Sequence, residues 1–69
     1  MDKMKFSVKD ESLCIDFEEE NRSVFIRGKK EGGVFHINSE NIETFPGLST
    51  SDIDNIRKGI ASINKIIID

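Results

Sequence analysis

This 69-residue sequence has no long hydrophobic run, no pair of cysteines and no excess of basic residues. Its longest apolar runs, at residues 24–26 and 66–68, are far shorter than the ~18 residues that a membrane-spanning helix needs. Ten lysines and arginines face thirteen aspartates and glutamates, for a net charge of −3, which is unlike a strongly basic nucleic-acid binder. The first residues contain no apolar stretch before a cleavage site, so we expect no secretory or transit signal.

One cysteine, Cys14, cannot form a disulfide within the chain. Small extracellular domains usually depend on several disulfides, so we expect this protein in a reducing compartment, the cytoplasm. One cysteine and one histidine fall short of the four ligands of a typical zinc site. The glycines of residues 28–33 lack the Lys and Ser or Thr of a phosphate-binding loop. We therefore expect neither a metal nor another cofactor.

Apolar residues alternate with polar ones in the first half of the chain and recur every three or four residues in the last third. The first pattern is typical of strands with one buried face, and the second is typical of a helix. Short polar or glycine-rich connections favour antiparallel neighbours. We predict a single small α+β domain spanning residues 1–69: a four-stranded antiparallel β-sheet (a meander) with strands at residues 4–9, 12–18, 23–28 and 33–38, and one C-terminal helix at residues 50–66 packed on one face.

The start of the predicted helix is well marked. Ser49 is a favourable N-cap, Asp52 follows it in the position of the capping-box acid, and Leu48 and Ile53 occupy the positions of a hydrophobic staple. Residues 66–68 hold more isoleucine than one helix face needs, so either one of them faces a partner or they leave the helix as an extended tail. The stripe that we expect to cover the sheet consists of Ile53, Ile56, Ile60, Ile63 and Ile67.

One helix covers only one face of such a sheet, so the other face is free for binding. On that outward side the alternation places Phe25, Val34 and His36, bordered by Asp16 and Arg27. An apolar centre with charged borders is typical of a protein–protein surface, and we take these five as the candidate partner-binding residues. The alternative is that residues 38–48 fold over this face. The side chains predicted to point at the helix are Leu13, Ile15, Phe17, Val24, Ile26, Phe35 and Ile37.

Nucleic acid is the alternative partner. Bases of a single strand would stack on Phe25 and His36, while Arg27, Lys29 and Lys30 contact phosphates. Against this, carboxylates are predicted on the same face and the chain is acidic overall, so the gain from released counterions would be small. We expect nucleic acid to be the weaker of the two hypotheses.

Cys14 and His36 are the nearest approach to a nucleophile and its base in this sequence. A hydrolytic reaction would also need groups that stabilise an oxyanion, and no motif supplies them. We predict no catalytic residues and no enzymatic activity.

A small sheet with one helix on an acidic chain is similar in layout to compact inhibitors and adaptors, including phage-encoded inhibitors of bacterial defence complexes such as some anti-CRISPR proteins. This likeness concerns the arrangement of elements and implies a protein partner. We expect a non-enzymatic protein-binding module, an inhibitor or adaptor of a larger protein encoded by a phage or a mobile element. It would act through the outer sheet face or an edge strand, either as a monomer or as a homodimer.

Overall fold

Six strands and two helices follow one another along residues 3–69, the part of the chain that the computed structural model describes. Both kinds of element contribute to one core, so the predicted α+β class is confirmed. In chain order the elements are β1 (Met4–Lys9), β2 (Ser12–Phe17), β3 (Arg22–Arg27), β4 (Lys29–Glu31), β5 (Val34–Ile37), α1 (Ser39–Glu43), α2 (Thr50–Ala61) and β6 (Ile66–Ile68).

The first sheet is an antiparallel meander in the order β1-β2-β3. Its register places Phe6 opposite Ile15, and Ile15 opposite Val24, so the apolar side chains of all three strands share one face. The strand bounds agree with the predicted ones to within one residue, because period-two alternation and polar turns are local signals.

The prediction of one four-stranded meander is wrong, because the remaining strands form a second three-stranded sheet in the order β4-β5-β6. β4 and β5 form an antiparallel hairpin, and β6 lies parallel to β5 on its other side. The long connection between β5 and β6, which contains both helices, is what a parallel pair requires.

Gly28 marks the place where the chain leaves the first sheet for the second. Ser12, the first residue of β2, pairs with Arg27, so no residue of β2 remains to pair beyond that point. The Gly28 N–H donates to the carbonyl of Glu11 at 2.9 Å. A Cβ built on Gly28 would lie 2.5 Å from the ring of Phe35, so only glycine allows so close a passage.

Half of the glycine-rich segment at residues 28–33 is therefore strand. The turn itself consists of Gly32 and Gly33, whose φ angles of 57° and 81° match a two-residue type I′ turn. The sequence pattern missed β4 because its three residues, Lys29–Glu31, are all charged and all exposed.

The helix predicted at residues 50–66 ends at Ala61 and is not the last element. The N–H groups of Ser62 and Ile63 donate to carbonyls three residues back, at 3.3 and 2.9 Å, which tightens and ends the helix. The β-branched residues that follow form β6, as β propensity favours. Ile67, predicted on the helical stripe, is instead 43% exposed on the second sheet.

A short helix that the sequence did not predict, α1, interrupts the connection at residues 38–48. The side-chain oxygen of Asn38 caps it by accepting from the N–H of Glu40 at 2.9 Å. Ile42 is fully buried and anchors this segment to the core.

The core is one cluster of side chains from both sheets and both helices. All seven side chains that the alternation predicts to point inward are at most 8% exposed. Phe6 packs against this cluster above Gly59, where an added Cβ would lie 2.6 Å from the ring. The buried members of the cluster are Leu13, Ile15, Phe17, Val24, Ile26, Phe35, Ile37, Ile42, Ile56, Ile60 and Ile66.

The predicted capping box at the start of α2 is confirmed. The Ser49 hydroxyl accepts from the N–H of Asp52 at 3.1 Å, and the Asp52 carboxylate accepts from the N–H of Ser49 at 3.2 Å. Arg22 of β3 stacks on the ring of Phe17, 4.5 Å from its centroid, and also donates to the Asp52 carboxylate at 3.3 Å and to the carbonyl of Gly47 at 3.1 Å. These contacts fasten the helix start to the first sheet.

The Asp52 carboxylate is held in its charged form. Its pKa is lowered chiefly because the backbone N–H of Ser49 donates to it, with further contributions from the Arg22 guanidinium and the Ser49 hydroxyl, while burial opposes the shift. A carboxyl whose pKa is lower in the folded state stabilises that state above its unfolded pKa, and this stabilisation is lost as the pH falls through the folded value.

We predict that Asp52→Asn lowers the free energy of unfolding at pH 7 by about 1 kcal/mol, since it removes a charged partner of Ser49 and Arg22. The difference between Asp52→Asn and the parent should begin to shrink as the pH falls below the ordinary aspartate pKa of about 3.9, and it should disappear once the pH is below the lower pKa of the folded state, where the parent also loses the charge. Denaturation followed by far-UV circular dichroism suits a chain without Trp or Tyr. An equal difference at pH 7 and at low pH would contradict this role.

Candidate binding surface around Phe25

The outer face of the first sheet carries one large exposed aromatic side chain. Phe25 is 54% exposed, whereas its neighbours Val24 and Ile26 are 8% and 1% exposed. The alternation of β3 thus sends Phe25 away from the core, as predicted. Burial in the protein interior does not account for a phenylalanine at this position.

A shallow groove of about 240 Å³ lies beside the Phe25 ring. Its other wall comes from the end of α1 and the residues after it, because α1 packs next to β3. Residues 38–48 therefore flank Phe25 and leave more than half of its surface exposed. Besides Phe25, the groove is lined by Ile26, Arg27, Asn41, Thr44, Phe45 and Pro46.

Arg27 joins this groove to a second cavity of about 290 Å³. Both cavities are lined by Arg27 and Asn41, and the amide of Asn41 donates to the backbone carbonyl of Arg27 at 3.4 Å. Over residues 3–69, no carboxylate lies within 4.0 Å of the Arg27 guanidinium. Its charge is therefore available to a ligand or a partner.

His36 lies in the second cavity rather than beside Phe25. Its Nδ1 is 3.3 Å from the carboxylate of Asp69, which follows β6. Pairing of β5 with β6 brings these residues together, since Asp69 also donates its backbone N–H to the carbonyl of Ile37 at 2.8 Å. Phe25, Arg27 and His36 thus form one continuous surface across the junction of the two sheets.

The other two candidate residues lie apart from this surface. Asp16 shares the outer face of the first sheet with Phe25, but its carboxylate accepts from the hydroxyl of its cross-strand neighbour Ser23 and it lines a different depression. Val34, at the start of β5, is half-buried and lines neither of the two cavities. The structure therefore brings together three of the five residues that alternation alone placed on one face.

The three basic residues of the nucleic-acid hypothesis are not on one surface either. Arg27 and Lys29 line the cavity that contains His36. Lys30 pairs with Phe35 and lines a separate cavity with Phe6 and other residues. Successive residues of a strand face opposite ways, so β4 divides its two lysines between two faces.

Cys14 is 4% exposed on the outer face of the first sheet, directly opposite Phe25 in the register. Its thiol lies 3.8 Å from the carboxylate of Asp16, and His36 belongs to the other sheet. Within residues 3–69, no group of three or more His, Cys, Asp or Glu side chains is placed to hold a metal ion. In the same part of the chain, no helix is long and apolar enough to cross a bilayer.

The sequence did not predict the residues that form the second wall of the groove, nor the contact that Asp69 makes with His36. Asn41, Thr44 and Pro46 carry no periodic signal, and they reach Phe25 only because α1 packs beside β3. Phe45 packs against the core and also lines the groove. Asp69 meets His36 only through the parallel pairing of β6, which periodicity did not predict.

Comparison with known proteins found no matching family model, no similar curated protein and no similar solved structure.

We predict that Phe25→Glu leaves the protein folded, with a free energy of unfolding within about 1 kcal/mol of the parent, because the new carboxylate points to solvent. The matched change one residue along, Ile26→Glu, should unfold the protein, since it buries an unpaired charge in the core. Thermal denaturation followed by circular dichroism compares the two variants. Unfolding of Phe25→Glu would show that Phe25 belongs to the core.

Proposed function

We propose that this chain is a non-enzymatic protein-binding module whose contact surface is the groove beside Phe25. The observation that carries the proposal is the 54% exposure of the Phe25 side chain in a groove that contains a second aromatic residue, Phe45. Aromatic residues in a small apolar depression often contribute most of the binding energy of a protein interface.

The surroundings of Phe25 supply the polar part of such an interface. Asn41 and Thr44 border the groove, and the unpaired guanidinium of Arg27 stands at the end that leads to His36. An apolar centre with a polar rim is the usual anatomy of a protein–protein contact. Arginine adds directional hydrogen bonding to carboxylates.

These features favour a particular kind of partner. We expect a protein that places an apolar side chain in the groove against Phe25 and Phe45 and a carboxylate next to Arg27. A module of 69 residues that contributes only a contact surface suits an inhibitor or an adaptor of a larger protein. The single cysteine continues to favour a reducing compartment such as the cytoplasm.

Nucleic acid remains the second hypothesis and receives less support. Lys30 lies on another surface than Arg27 and Lys29, so at most two of the three proposed phosphate contacts act together. Two such contacts would give only a weak, salt-sensitive attraction to a phosphate backbone.

The experiment compares proteins captured from the native cell by the immobilised parent, by Phe25→Glu and by Arg27→Glu. The matched control is Val8→Glu, an equally polar change at another exposed strand position, 39% exposed and outside the groove. Binding constants of a protein captured by the parent are then measured for all four forms. We expect Phe25→Glu to weaken binding at least ~30-fold and Arg27→Glu to weaken it as well, while Val8→Glu leaves it unchanged.

Two results would contradict the proposal. One is a partner whose affinity is the same for the parent and for Phe25→Glu, provided that both are folded. The other is binding of labelled RNA or DNA that falls steeply between two salt concentrations and depends on Arg27 and Lys29, which would favour the nucleic-acid hypothesis.

A further inference from the structure

Within residues 3–69, β6 is an edge strand, and no other strand pairs with its outer side. Toward β5, the carbonyl of Lys65 accepts from Phe35 N–H and the N–H of Asp69 donates to the carbonyl of Ile37, both at 2.8 Å. Residues along a strand direct their backbone groups alternately to its two sides. The N–H and C=O groups of Ile66 and Ile68 therefore point away from β5, toward the open edge of the second sheet.

This edge lacks the protection that the other edges have. Each of the other three edge strands in residues 3–69, β1, β3 and β4, carries two basic residues, which discourage pairing with another strand. β6 consists of three isoleucines and contains no charge. Ile67, the central residue of β6, is 43% exposed, a large fraction for an isoleucine.

The residues that flank β6 have opposite charges, Lys65 before it and Asp69 after it. If a second copy of β6 pairs antiparallel with Ile67 opposite Ile67, Lys65 of each copy stands directly opposite Asp69 of the other. The same register sets Ile66 opposite Ile68. Those are the two residues with outward backbone groups, so the pair forms four hydrogen bonds. The strand is thus complementary to itself in charge and in backbone pattern.

We propose that β6 pairs antiparallel with β6 of a second copy of this chain, joining the two second sheets into one six-stranded sheet across a two-fold axis. On one side of the new sheet the exposed Ile67 side chains meet, with an ion pair of Lys65 and Asp69 at each end. The Asp69 carboxylate is 61% exposed at the side-chain level, so it has room for Lys65 of the copy while it stays near His36.

An apolar cavity next to β6 supports the same occupant. It has a volume of about 350 Å³, lies between α2 and β6, and is lined mainly by isoleucine: Arg57, Ile60, Ala61, Ile63, Ile66, Ile67 and Ile68 take part. Two-fold pairing brings this cavity close to the same cavity of the second copy, so the pairing also removes apolar surface from water there. The inference does not depend on the role proposed for Phe25, whose groove lies elsewhere.

Charge reversal tests the register. The association constant is measured by sedimentation equilibrium from about 10 µM to about 1 mM for the parent, Lys65→Glu, Asp69→Lys and the double variant. Each single change sets like charges opposite each other at both ends, and we expect each to weaken the dimer about tenfold. The double variant exchanges the two charges and should restore the parent's constant. Circular dichroism checks that every variant is folded.

A cross-link provides a second measurement that does not depend on charge. Ile67→Cys, made together with Cys14→Ala, should form a disulfide-linked dimer under mild oxidation, because residues opposite each other at a non-hydrogen-bonded position have Cα atoms about 4.5 Å apart. Val8→Cys in the same Cys14→Ala background is the control for an exposed thiol elsewhere, and it should form no disulfide-linked dimer.

A parent chain that remains monomeric at the highest concentration would overturn the proposal. A dimer that forms without cross-linking at position 67, or whose constant the double variant fails to restore, would show that another surface is used and would overturn it equally.

Discussion

A strand sends successive side chains to opposite faces, and this chain has apolar residues for one core only. That core is filled from both sheets and both helices. Once Val24 and Ile26 point inward, Phe25 must point outward, whatever its affinity for an apolar environment. The exposed aromatic is therefore a consequence of the strand geometry, and its exposure is the basis of the binding function that we propose.

The second sheet depends on the close approach of the backbone at Gly28 to the ring of Phe35. At Gly28 the chain lies so near the Phe35 ring that a side chain would not fit, and this allows β3 to end in one sheet and β4 to begin the next. The passage also sets Arg27 between the Phe25 groove and the His36 cavity. The missing side chain at one glycine thus determines which side chains lie together.

Local signals were enough to predict part of this fold. Alternation located β1, β2, β3 and β5, and the capping box located the start of α2, because each involves residues close in sequence. The pairing of β6 with β5 joins residues about thirty apart, and no periodicity encodes such a partner. Ile67 fits a helical stripe by spacing alone, yet three consecutive β-branched residues suit a strand equally well. For the same reason Phe25 could be predicted to face outward, while the groove wall at Thr44 and the Asp69 contact could not.

The proposed function depends on a core closed to solvent and on a Phe25 side chain that is exposed to it. Solvent paramagnetic relaxation measured on the ring protons of Phe25, Phe17 and Phe35 tests this division most directly. The account predicts strong relaxation of Phe25 by a soluble paramagnetic agent and protection of Phe17 and Phe35, which are each 2% exposed. A Phe25 ring as well protected as the other two would contradict it.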